Sequence, residues 1–171
     1  GGVASGEDGG GVSWGGAGGV ASGTLSEKTL AYAWPDYHPA PYANNKPEYQ
    51  AAMVAARSAG QYLGGGTGGN LGVDCGAFVS RLLIDSGFEP EYNSSGRGGN
   101  TVSQRAWVTD NWQTLGSAAS INTADLQPGD VAFSPGHTFV YVGEIPGFNS
   151  LIASASYSTN DDGWRSPMAG K

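Results

Sequence analysis

Two residues in this chain have the types that make a nucleophile and its base. Cys75 is the single cysteine, and His137 is one of two histidines. An imidazole within hydrogen-bond reach of a thiol can take its proton and later return it to a leaving group. The two stand far apart in sequence, as thiol and base do when a fold brings them together. Cys75 lies in the stretch Gly72–Gly87, GVDCGAFVSRLLIDSG. Phe78, Val79, Leu82 and Leu83 follow it at the spacing of an amphipathic helix, with Asp74 as N-cap and Gly87 just past the end. The thiol is then in the first turn. There the orphan N–H groups and the helix dipole favour a thiolate, so a pKa below the free value of about 8.5 is expected. The same N–H groups suit an oxyanion. The competing reading is a small buried apolar side chain, the usual place of a lone cysteine. His38, between Tyr37 and Pro39, reads as a surface or packing histidine.

The elements that must position this pair come in two blocks. Pro47 to about Gly60 is predicted as a helix, with proline in the first turn and abundant alanine. Glycines at 64, 65, 66, 68, 69 and 72 make a loop that lets backbone approach the cysteine helix, and no Lys-Ser or Lys-Thr follows to make it a phosphate loop. A further helix is expected from Asn100 or Thr101 to Gly116, with Val108, Trp112 and Leu115 on one face. After the turn Gln127-Pro128-Gly129-Asp130, Val131–Phe133 begins a strand. His137 opens a second strand to Gly143, apolar on both faces and so expected to be covered on both sides. Ile145–Asn149 turns it, Leu151–Ser156 returns antiparallel, and a last short strand is expected over Trp164–Met168. Helices first and a meander after make an α+β pattern.

Composition narrows the function classes. A formal net charge of −7, from 8 Lys and Arg against 15 Asp and Glu, argues against nucleic acid or an anionic membrane as partner. One cysteine rules out an internal disulfide and a multi-cysteine zinc site. No apolar run approaches ~18 residues, so no membrane insertion is expected. Residues 1–23 are rich in Gly, Ala and Ser and repeat GGVASG at 1–6 and 18–23; they read as a flexible linker, with Trp14 its single large side chain. Residues 24–46 are rich in proline and aromatics and read as an extended wrap on the domain at 47–171. The chain does not begin with Met and shows no signal peptide, as expected of a processed piece whose targeting segment lies upstream.

Three motifs, in order, carry a resemblance. Tyr62-Leu63-Gly64-Gly65-Gly66 followed by Val73-Asp74-Cys75-Gly76-Ala77-Phe78-Val79, then Leu126-Gln127-Pro128-Gly129-Asp130-Val131, then His137-Thr138-Phe139-Val140-Tyr141-Val142-Gly143, are similar to the NlpC-type cysteine peptidases of bacterial cell walls. The similarity spans about Pro47 to Ser156. It implies a papain-like α+β fold, N-terminal helices packed on a small antiparallel sheet. It also implies a secreted or surface-exposed hydrolase that cleaves amide bonds in peptidoglycan stem peptides, with no metal or organic cofactor. Carried over by position, Cys75 is nucleophile and His137 general base, and Tyr62, Asp74 and Gly76 border the substrate.

The chain departs from the pattern at Gly76, where the family usually has Ser, at Gly64, and at the polar residue that orients the histidine. Alignment of the hairpin puts Ala153 at that third place; a one-residue bulge in the turn would bring Ser154 there instead, with Ser156 behind it. Ser154 is the expected third residue. Within enzymes, CHAP-type amidases, acyltransferases and protein-directed peptidases share the logic of the site. Outside them stands an inactive NlpC-like domain that binds wall peptide or a protein partner.

Overall fold

The computed structural model describes residues 13–16, 23–33, 46–61, 74–94, 100–117, 119–148 and 150–155. Four helices and a five-stranded antiparallel sheet make an α+β fold among these residues. The helices are α1 (Gly23–Tyr32), α2 (Pro47–Ser58), α3 (Cys75–Asp85) and α4 (Thr101–Asn111). The strands are β1 (Ser13–Gly16), β2 (Gln113–Ser117), β3 (Val131–Ser134), β4 (His137–Tyr141) and β5 (Ile152–Ala153), in the order β2-β1-β3-β4-β5. No described helix is long and apolar enough to cross a membrane.

The helix that carries Cys75 is the centre of the molecule. Every residue from Gly76 to Leu83 is buried, so α3 is enclosed rather than amphipathic in the surface sense. Phe78, Val79, Leu82 and Leu83 pack with Leu25 of α1, Tyr49 and Met53 of α2, Val108 of α4, and Val131, Phe133, Val140 and Ala153 of the sheet. Arg81 is drawn inside as well, with Nη1 3.5 Å from Asp85 Oδ1. Asp85 also accepts the Tyr32 hydroxyl at 2.6 Å, which ties the end of α3 to α1. Burial, followed by that carboxylate, holds the Tyr32 phenol far above its usual pKa.

One face of the sheet is buried against α3, and the other, expected to be covered as well, is only half-covered along β4. The second face carries Trp14, Leu126 and Ala132, with Leu115, Ile121, Phe139, Tyr141 and Ile152 packed on them. Strand alternation puts His137 on this side with Phe139 and Tyr141, and puts Thr138 and Val140 toward α3.

Three expectations are corrected. Residues 13–16 are not linker: Ser13–Gly16 is a strand between β2 and β3, and Trp14 is 7% exposed. The reason for glycine at 16 is steric. A Cβ at Gly16 would lie 2.7 Å from Leu115 Cδ1 and 3.1 Å from Asp130 Oδ1, so at that one position a larger residue would push these two side-chain ends aside. Residues 23–32 are helix α1 rather than part of an extended wrap, with Leu25 and Tyr32 buried and Tyr32 edge-on to Tyr49 at 5.2 Å. The helix from Thr101 ends at Asn111, and Gln113–Ser117 is strand β2. Trp112 turns the chain there. Its Nε1 donates to Glu89 Oε1 at 3.0 Å, and its ring lies 5.7 Å from Tyr92 and 5.9 Å from Trp107. Leu115 therefore leaves the helix face and joins the Trp14 side of the sheet.

The α2 and α3 helices and the strands β3, β4 and β5 lie where expected, with β4 ending at Tyr141 rather than Gly143 and β5 shorter. The strand expected over 164–168, the glycine loop at 64–72, Tyr62 and His38 lie outside the described residues. Gly129 shows why its turn is Pro-Gly-Asp. Its φ is +97°, and a Cβ there would run into the Phe88 ring. The buried Asp130 then closes the turn by accepting from the Gln127 N–H at 2.8 Å.

Candidate functional site

Cys75 is the first residue of α3 because Asp74 caps the helix: its Oδ1 accepts the Ala77 N–H at 2.8 Å. His137 is the first residue of β4 because Ser134-Pro135-Gly136-His137 is a two-residue hairpin closed between Ser134 and His137, with Gly136 at φ +74°. The two starts meet. Cys75 Sγ lies 3.9 Å from the carbonyl oxygen of Gly136, at the limit of a thiol hydrogen bond. In such a hairpin the next pair, Phe133 and Thr138, is of the non-hydrogen-bonded kind, so the Thr138 N–H points away from β3. It points at the sulfur and favours the thiolate. The thiol is thus held against the backbone on both sides of His137.

The imidazole is held from β5. His137 Nε2 lies 2.9 Å from Ser154 Oγ, and Ser154 is buried. The return strand pairs Ala153 with Val140, which turns Ala153 into the core on the α3 side and leaves Ser154 on the His137 side. The shift needed at the turn is visible where the N–H groups of Val142 and Gly143 both donate to the Leu151 carbonyl, at 2.8 and 3.2 Å. With Nε2 engaged, Nδ1 is the ring nitrogen left for proton exchange. The Phe139 ring stands 5.7 Å from the imidazole and, on its other side, 5.4 Å edge-on to Trp14. A row of rings thus runs from β1 to the histidine.

The electrostatics differ from expectation. Burial pushes the Cys75 thiol up rather than down; the Thr138 N–H opposes this, the Asp74 carboxylate adds to it, and the N–H groups of Gly76 and Cys75 oppose it. Burial pushes His137 down. The thiol and the imidazole are therefore both neutral at rest. A neutral imidazole with Nε2 bonded to a hydroxyl is suited to act as a base through Nδ1.

Asp74 and Gly76, expected beside a substrate, hold the first turn of α3, Asp74 by its cap and Gly76 by its carbonyl. That carbonyl accepts Nε2 of Gln104 from α4 at 2.9 Å. Gln104, Gly136 and Thr138 went unremarked in the sequence. Gln104 had a signal: it sits four residues before Val108, a polar residue on the buried face of its helix. Gly136 and Thr138 act through backbone groups and had none. Among the described residues no group of three His, Cys, Asp or Glu side chains gathers as metal ligands do. No protein-family model, curated protein or solved structure matches the chain.

Proposed function

We propose that this chain is a cysteine hydrolase with a papain-like, NlpC-type fold that cleaves amide bonds of peptidoglycan stem peptides at a bacterial cell surface. The observation that carries the chemistry is the placement of Cys75 Sγ 3.9 Å from the carbonyl of the residue before His137, with His137 in turn bonded to Ser154. The substrate class rests on the resemblance of the three motifs, and the bond next to D-glutamyl in the stem is the one expected to be cut.

In this reading His137 Nδ1 takes the thiol proton as sulfur attacks the amide carbonyl. The tetrahedral oxyanion is met by the N–H groups at the start of α3. Collapse breaks the C–N bond, and His137 returns the proton to the departing amine. Water, deprotonated by the same imidazole, then hydrolyses the thioester and frees the thiol and a carboxylate. Ser154 fixes the ring and its tautomer.

A second reading, a catalytically weak domain that binds wall peptide, is favoured by the half-buried, upward-shifted thiol. Mass spectrometry of muropeptides incubated with the chain and with Cys75→Ala separates the two. Hydrolysis predicts new amine-bearing fragments that vanish in Cys75→Ala. Intact muropeptides with the native chain, or equal cleavage by Cys75→Ala, would overturn it.

A further inference from the structure

The hydrogen bond from Gln104 falls on one particular peptide group. Gln104 is 0% exposed, and its Nε2 donates to the Gly76 carbonyl at 2.9 Å. That carbonyl belongs to the same peptide group as the Ala77 N–H, which donates to Asp74 Oδ1 at 2.8 Å. A single peptide plane in the first turn of α3 is therefore gripped at both ends by side chains, one from its own cap and one from α4. Bonds in series through a peptide group polarise and strengthen one another. An apolar side chain would fill this buried position without the cost of desolvating an amide, so the bond to the Gly76 carbonyl is a contribution that only a polar side chain makes here.

The geometry points to Gln104 as a positioning residue for the Cys75 thiol: through the Gly76–Ala77 peptide it keeps the first turn of α3 wound, so that the N–H groups of Cys75 and Gly76 stay aimed at the sulfur. The inference rests on reading Cys75 as the working thiol. Those two N–H groups favour the thiolate, as does that of Thr138, against the burial that disfavours it. Asp74 alone holds the N–H end of the plane but leaves the carbonyl end to the helix. When the Gln104 bond is lost the turn loosens, the N–H groups lose their aim, and the thiol titrates higher.

The test is the rate at which Cys75 attacks a pyridyl disulfide, a reagent that accepts thiols in acid as well as in base, followed across pH in the native chain, Gln104→Met and Gln104→Glu, with Cys75→Ala as blank. Met keeps the volume and the helix propensity and removes the donor. Gln104→Met should react more slowly at pH 7, by roughly three- to four-fold for each unit that the thiol pKa rises, because the thiolate fraction falls ten-fold while the remaining thiolate is more nucleophilic. A glutamic acid can donate to the Gly76 carbonyl only while protonated. Gln104→Glu should follow the native chain in acid and fall toward Gln104→Met as its carboxyl ionises. A role confined to packing would lower the unfolding midpoint and leave the labelling profile in place. A folded Gln104→Met whose profile superimposes on the native one overturns the inference. If Gln104→Met does not fold, a Gln104→Glu profile parallel to the native one at every pH does the same. Failure of the native chain to cleave muropeptides would strike the proposed reaction while leaving the shift in labelling midpoint readable.

Discussion

Replacing Trp14 by alanine tests the least expected element of the fold. Trp14 is 7% exposed in a strand whose other residues are Ser and Gly, so almost all of the apolar burial contributed by β1 is this one ring. Truncating a buried aromatic to alanine costs ~3–5 kcal/mol, which combines the lost transfer energy with the cavity left behind. The ring also makes edge-on contacts with Phe139 at 5.4 Å and Tyr141 at 6.4 Å, and each aromatic pair of this kind contributes ~0.5–1.5 kcal/mol beyond burial. Leu115 and Ile121, only half-buried on the same face, can close partly over the gap, which places the expectation near the lower bound, about 3 kcal/mol. For a chain of this size each kcal/mol moves the thermal midpoint by ~2–4 °C, so Trp14→Ala should lower Tm by roughly 6–12 °C. Urea unfolding at constant m-value checks the free energy directly. A loss below ~1 kcal/mol would mean that residues 13–16 do not belong to the cooperative unit, and the linker reading of the N-terminal stretch would stand. The same variant bears on the site, because Phe139 is wedged between Trp14 and His137.

Two further predictions concern the site and its titration. Ser154→Ala removes the partner of His137 Nε2 and should slow amide hydrolysis about ten-fold, equivalent to ~1.4 kcal/mol, while Cys75→Ala abolishes it; equal losses in the two variants would mean that Ser154 does more than orient the ring. Stability should form a plateau between about pH 6.5 and 8.5, the ordinary values for histidine and cysteine. His137, shifted down by burial, contributes stability that is present above about 6.5 and lost as pH falls through its folded value. Cys75, shifted up by burial first of all, contributes stability that is present below about 8.5 and lost as pH rises, and the buried phenols of Tyr32, Tyr49 and Tyr92 steepen that loss above about 10. Urea midpoints measured from pH 5 to 11 check this, and a midpoint that climbs on either side of the plateau would refute it.

What could be read from the residues follows how local each signal is. The α3 helix announces itself through Asp74, the apolar spacing and Gly87, all within one stretch. The strand from His137 announces itself by alternation, but the pairing of Ala153 with Val140 does not: plain alignment puts Ala153 at the histidine, and the doubled bond at the Leu151 carbonyl accompanies the shift that brings Ser154 there. Strand β1 carries no local signal at all. SWGG has one apolar side chain, and its glycine at 16 is explained only by Leu115 and Asp130, which lie about a hundred residues further on in the sequence numbering. The false extension of α4 has a similar origin. The 3.6-residue pattern of Val108, Trp112 and Leu115 is real, but the indole bond to Glu89 and the pairing of β2 with β1 are tertiary, and they override it.

The titration of Cys75 is the case where a correct local observation led to the wrong sign, and magnitudes show why. A helix N-terminus contributes ~0.3–1 kcal/mol to a nearby anion, less than one pKa unit. Desolvation of a buried ionisable group can move a pKa by as much as ~3–5 units. In α3 the sulfur is in the first turn, as the sequence indicates, but it is half-buried against the start of β4 rather than fully solvated. The Asp74 carboxylate that caps the helix adds a like charge beside any thiolate. Capping and thiolate formation therefore compete for the same N–H-rich end, and the cap is present at all times. In the proposed reaction, a pair that rests neutral moves the proton during attack, not before it. The groups that matter are then those that respond as charge develops: Nδ1 of His137, the N–H groups of Cys75, Gly76 and Thr138, and the side chains that keep them in place.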